Sequence, residues 1–115
     1  MAYLDIKQDS QRIRICRQLD DDLRHAKRRT EEQREQAELL IDKMDLETDL
    51  LENLHQQVDR TGDREGFASD IRDKQDEIRE LRMKIERARS LAHQWEYQAA
   101  IIEREMIANG CGNFA

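Results

Sequence analysis

Residues 58–67 read VDRTGDREGF and hold two of the chain's four glycines, Gly62 and Gly66. The other two, Gly110 and Gly112, fall within the last six residues, and the chain contains no proline. The stretch is either a turn that reverses a helix or a loop built to hold a phosphate. GDREG lacks the spacing and the Lys-Ser/Thr pair of a phosphate loop, and no strand precedes it. Gly62 suits a helix C-cap, where a left-handed residue costs little. Asp63 suits the N-cap of a following helix, with Glu65 favourable near its positive end. The turn residues are therefore Gly62, Asp63 and Gly66.

Heptads run outward from this point on both sides. Alternate steps of four and three from Leu19 give Leu23, Ala26, Thr30, Gln33, Ala37, Leu40, Met44, Glu47, Leu51, Leu54 and Val58, nine of the twelve apolar. The same steps from Phe67 give Ile71, Lys74, Ile78, Leu81, Ile85, Ala88, Ala92, Trp95, Ala99, Ile102 and Met106, eleven of the twelve apolar. Such spacing keeps one stripe facing a partner helix, as in a coiled coil. The nine-residue step from Val58 to Phe67 breaks the phase where the glycines lie.

Folding at that break predicts an all-α, antiparallel two-helix coiled-coil hairpin in which facing residue numbers add to 125. Leu54 then meets Ile71, Met44 meets Leu81, Leu40 meets Ile85, Leu23 meets Ile102 and Leu19 meets Met106. Trp95 falls opposite Thr30, and Ala37 faces Ala88, so large groups sit against small ones as interlocking packing requires. Lys74 lies opposite Leu51 with Glu47 one layer away, a geometry that allows a snorkelling ion pair. The expected divisions are an N-terminal helical overhang over 1–18, the hairpin over 19–109 and a flexible tail over 110–115. Within the hairpin the helices span 19–59 and 67–109, joined by a turn over 60–66. A parallel homodimer using each seam separately is the rival, and it leaves the glycines and the phase break without a purpose.

Composition agrees with long helices. Charged residues make up 40%, aromatics 4%, and mean hydropathy is -1.00. That is too polar for an ordinary globular core and too regularly apolar for plain disorder. The net charge of -6 is uneven: +2 over residues 1–34, -7 over 35–59, +1 over 60–90 and -2 over 91–115. The acidic residues 35–59 would lie along Arg72, Lys74, Arg79, Arg82, Lys84, Arg87 and Arg89. No apolar run approaches the ~18 residues needed to cross a bilayer. MAYLDIKQDSQR lacks the pattern of a signal peptide. The expectation is a soluble cytoplasmic or nuclear protein with no membrane association.

Outside the seams, Leu39, Ile41, Leu46 and Leu50 crowd the first helix, and Tyr97, Ile101 and Ile107 lie off the second seam. A two-helix unit buries little, so the Leu39–Leu50 group reads as a partner surface. It would be covered in a homo-oligomer, a dimer forming a four-helix bundle, or by another helical protein. The overhang carries Leu4, Ile6, Ile13, Ile15 and Cys16, and the alternation in RIRIC also permits a strand.

Chemistry is sparse. His25, His55 and His93 share no level of the hairpin and no metal spacing, and nothing supports a nucleophile, a general base, a metal or a cofactor. Cys16 and Cys111 have numbers adding to 127, so the hairpin brings them to nearly one level, either as free thiols or as a disulfide clip. Arg24, Lys27, Arg28 and Arg29 form the one basic cluster. Arg12, Arg14 and Arg17 extend it, a candidate phosphate contact interrupted by Glu31 and Glu32.

DREGFASDIRDKQDEI, residues 63–78, resembles a piece of the N-terminal coiled-coil hairpin of hantavirus nucleoproteins, where a similar DREG-containing segment lies early in the second helix. The resemblance covers about sixteen residues, and the first helix does not follow that family. It implies a helical hairpin and carries no residue roles. The reading is thus a non-enzymatic structural or adaptor module acting through helix–helix recognition in a larger assembly. The alternatives are a nucleic-acid-associated viral or phage assembly component using residues 12–34, and an acidic nucleic-acid-mimicking inhibitor using the carboxylates from Glu35 to Asp59.

Overall fold

The computed structural model describes residues 2–114, with side chains described for residues 9–112. Helix α1 runs Ala2–Thr61 and helix α2 runs Arg64–Ala108, followed by a short 3-10 helix at Cys111–Phe114. The two long helices form the antiparallel hairpin, all-helical among the described residues. RIRIC lies within α1 and is helical, not a strand.

The turn is tighter than residues 60–66. Gly62 adopts φ of 71°, the left-handed region that favours glycine, and its N–H donates to the Val58 carbonyl at 2.7 Å. Asp63 then caps α2, its Oδ1 accepting from the Gly66 N–H at 2.9 Å. A Cβ on residue 66 would run into the Asp63 carboxylate, so this glycine admits the cap. Thr61 adds a local tie, its Oγ1 donating to the Gln57 carbonyl at 2.7 Å and accepting from the Asp63 N–H at 3.3 Å. One left-handed residue and one cap suffice, so both helices run closer to the reversal than the phase break alone suggests.

The chain divides into two compact units, residues 1–32 with 91–115, and residues 33–90. In the first, Cys16, Leu19 and Cys111 form a buried cluster against which Ile102 and Met106 pack. Ala26, Ala92, Ala99 and Thr30 are also buried, while Leu23 and Trp95 are half-buried. Thr30 satisfies its buried hydroxyl by donating to the Ala26 carbonyl at 2.9 Å. In the second unit, Ala37, Ile78, Leu81, Ile85 and Ala88 are buried. Leu40, Met44, Leu51, Leu54, Val58, Phe67 and Ile71 are only half-buried.

The end of α2 departs from the open tail expected over 110–115. Gly110 has φ of 69°, and its N–H donates to the Ile107 carbonyl at 3.1 Å. That second left-handed glycine turns the chain back, and Cys111, 1% exposed, is disulfide-bonded to Cys16 across a sequence separation of 95. Cys16 itself is buried, while Arg17 and Gln18 beside it are exposed. The side chains of Leu4 and Ile6, and of the tail from Asn113 onward, lie outside the described residues.

Three variants have expected outcomes in equilibrium unfolding. Asp63→Ala is expected to lower stability by about 1 kcal/mol through loss of the cap, and Gly62→Ala by about 1–2 kcal/mol through the left-handed backbone. Replacing Cys16 and Cys111 with Ser is expected to cost about 2–5 kcal/mol, since the bond closes a long loop in the unfolded chain. Urea denaturation of wild type with and without reductant should reproduce that difference; identical midpoints would contradict it.

Candidate functional site

Cross-helix contacts in the two units join residues whose numbers add to between 120 and 130, bracketing the expected 125. Within the second unit the one polar bridge through the seam is Lys74 to Glu47. Lys74 Nζ donates to Glu47 Oε2 at 2.6 Å and to Glu77 Oε2 at 3.2 Å. The lysine stem lies along the seam and its head reaches the edge, as a long amphipathic side chain does when an apolar stripe accepts it. The hydrogen bond from Lys74 holds the Glu47 carboxyl below its ordinary range, and the bond to Glu47 holds the Lys74 ammonium above its own.

The broader neutralisation of the acidic segment is not observed. Of the seven cations expected to face it, only Lys74 crosses between helices. Arg79 pairs with Asp76 on its own helix at 3.8 Å. Arg72, Arg82, Lys84, Arg87 and Arg89 enter no ion pair among the described residues. The reason is rotational phase: in a two-helix seam most heptad positions point away from the partner, and net charge per segment does not decide which charges meet. Glu38, Asp42, Asp45, Asp49 and Glu52 therefore remain exposed, with no ion pair among the described residues.

Beside these carboxylates lie the off-seam apolars. Leu39, Leu46 and Leu50 are 66%, 59% and 41% exposed. Spacings of seven and four return to one side of a helix, so the three share a stripe. Ile41 stands about 200° from Leu39 at 3.6 residues per turn and is half-buried, so it does not join them. The neighbouring seam residues Leu40, Met44, Leu51 and Leu54 are themselves only half-covered. This part of α1 thus carries apolar surface on its outer side and an incompletely closed seam beneath. A shallow groove edged by Leu50, Asn53, Asp70, Asp73 and Glu77 runs along it. On α2, Tyr97 and Ile107 are exposed and Ile101 is half-buried.

The basic cluster is largely engaged. Arg24 pairs with Asp20 at 3.1 Å, Lys27 with Glu103 at 3.7 Å and Arg29 with Glu32 at 3.2 Å, while Arg28 has no ion pair among the described residues. These are surface pairs, each a modest interaction. The histidines include one contact that spacing did not indicate: His25 meets Trp95 edge-on, with ring centroids 5.5 Å apart. That pair borders an open groove of about 640 Å³ with Asp22, Leu91, Ile101 and Glu105. Ala26 and Trp95 line the same groove.

Among the described residues no cluster of His, Cys, Asp or Glu is placed to hold a metal ion. No described helix is long and apolar enough to cross a membrane. No protein-family model, curated protein or solved structure matches the chain.

The Lys74–Glu47 bridge makes a pH prediction. A lowered Glu47 pKa contributes stability present above the ordinary glutamate range and lost as pH falls through the folded value. A raised Lys74 pKa contributes stability present below the ordinary lysine range and lost as pH rises through its folded value. The Tm advantage of wild type over Glu47→Gln/Lys74→Met is therefore expected to be widest between about pH 5 and pH 10, narrowing on both sides. A constant difference from about pH 3 to pH 7 would contradict the assignment.

Proposed function

We propose that this chain is a non-enzymatic helical module that works by docking the leucine stripe of α1 against a helix of a partner in a larger assembly. The observation that carries the reading is the exposure of Leu39, Leu46 and Leu50 beside a seam that stays half-open beneath them. A helix laid on this surface would remove both apolar layers from water. Recognition of this kind reads anchors at intervals of three, four and seven residues on one helix side. The acidic row alongside favours a partner helix with cations on its flank.

The nucleic-acid alternative draws less support, because three of the four cluster cations already sit in ion pairs. The compartment enters through Cys16 and Cys111. Work in the cytoplasm or nucleus implies the reduced thiols there, whereas the bonded form is the one an oxidising compartment maintains.

Leu46→Asp/Leu50→Asp tests the docking reading. The double variant is expected to keep its helical circular dichroism and to lose the assembly formed by the wild-type chain, whether with itself or with proteins of the native source. Unchanged mass by light scattering, together with unchanged recovery of bound proteins, would overturn it.

A further inference from the structure

We propose that the turn after α2 is a latch closed by oxidation. With both thiols free, residues 109–112 stand off α1 and leave Leu19, Ile102 and Met106 uncovered. Formation of the Cys16–Cys111 bond folds the turn down and then hides the bond from thiol reductants.

The argument begins with how little else holds the turn. Helix α2 ends at Ala108, and of residues 109–112 Cys111 alone is buried. The backbone hydrogen bonds of the turn run to its own helix, from the Asn109 N–H to the Glu105 carbonyl at 3.0 Å and from the Gly110 N–H to the Ile107 carbonyl at 3.1 Å. They fix the turn to α2 and not to α1. From α1, Arg12 reaches the neighbourhood of Gly110, but its side chain is half exposed and an exposed cation holds a neighbour only modestly. The firm attachment to α1 is the disulfide. A chain end stays ordered only where something ties it down. One small buried side chain is a weak return for fixing four backbone residues once the sulfurs separate.

The closed turn covers an apolar cluster. Cys16, Leu19 and Cys111 are buried together, with Ile102 and Met106 packed against them. Ile102 also lines the groove that holds Ala26, Trp95 and Ile101, and all of these residues belong to one compact unit. Lifting Cys111 removes one wall of the cluster and extends the apolar groove toward Leu19 and Met106.

Closure is a thiol–disulfide exchange with a small disulfide donor such as oxidised glutathione. The Cys111 thiolate, on the loose turn, attacks one donor sulfur and expels a donor thiolate, leaving a mixed disulfide. The Cys16 thiolate then attacks the Cys111 sulfur and expels the second donor thiolate. The two cysteines lose two electrons to the donor, and their two protons end on the released donor thiols. Reversal requires a thiolate to reach a sulfur in line with the bond. Cys16 and Cys111 are 4% and 1% exposed, so the closed latch denies that approach.

The test compares the oxidised chain, the chain purified under reductant, and Cys16→Ser/Cys111→Ser. In the reduced chain, Cys111 is expected to react with iodoacetamide within about tenfold of the rate of an unstructured peptide thiol. The reduced chain and the double variant are both expected to bind more anilinonaphthalene sulfonate than the oxidised chain, with helical circular dichroism unchanged. Reduced glutathione is expected to open the oxidised chain at least about a hundredfold more slowly than an exposed peptide disulfide. Cys111 alkylation slowed by about a hundredfold or more would show that the turn stays docked without the bond, and would overturn the proposal. So would equal dye binding by all three chains, or reduction as fast as that of the peptide. Loss of helical circular dichroism in the reduced chain would also overturn it, since the bond would then hold the helices and not a local latch.

Discussion

Gly62 is the point on which the molecule depends. A residue at φ of 71° is strained for any side chain with a Cβ, and here it ends a sixty-residue helix in one step. Asp63 immediately restarts the chain by capping α2. Because only these two residues separate the helices, the reversal leaves almost no freedom in register. The seam pairing beside the turn and the reach of Lys74 to Glu47 are consequences of where that reversal falls. Gly110 repeats the device at the other end of α2 and brings Cys111 under cover.

Two helices can each bury one stripe, and this sequence has more than one stripe to bury. Small residues at Ala26, Thr30, Ala92 and Ala99 allow one unit to close tightly around its disulfide. In the unit next to the turn, the α1 side of the seam remains half-open and Leu39, Leu46 and Leu50 face out. Polar groups do not compensate there, since the adjacent carboxylates have no ion pair among the described residues. An apolar row beside uncompensated charge is a surface whose free energy falls on contact with a cationic, amphipathic helix.

The seams were legible because burial imposes a period, and a period survives any choice of individual residue. Ile78, Leu81 and Ile85 could be placed by counting alone. The turn was legible in position but not in length, because a single left-handed glycine and a cap leave no trace in apolar spacing. Segment charge misled: Arg72, Arg82 and Arg89 belong to a nearly neutral stretch facing an acidic one, yet their rotational positions keep them from it. Ile41 stands on the other side of the helix from Leu39, and its half-burial sets it apart from the exposed stripe. The His25–Trp95 contact was hidden because His25 lies beside the seam and not in it, so the heptad count never pairs it with the ring. Function was legible only as an unsatisfied surface.

The most direct test is to place a photoreactive amino acid at position 46, cross-link the chain alone and in the presence of proteins of its native source, and map the joined residues by mass spectrometry. The proposed docking predicts products that join position 46 to a helix of another molecule, with few from the same probe at Tyr97. Products confined to the same chain under both conditions would contradict it.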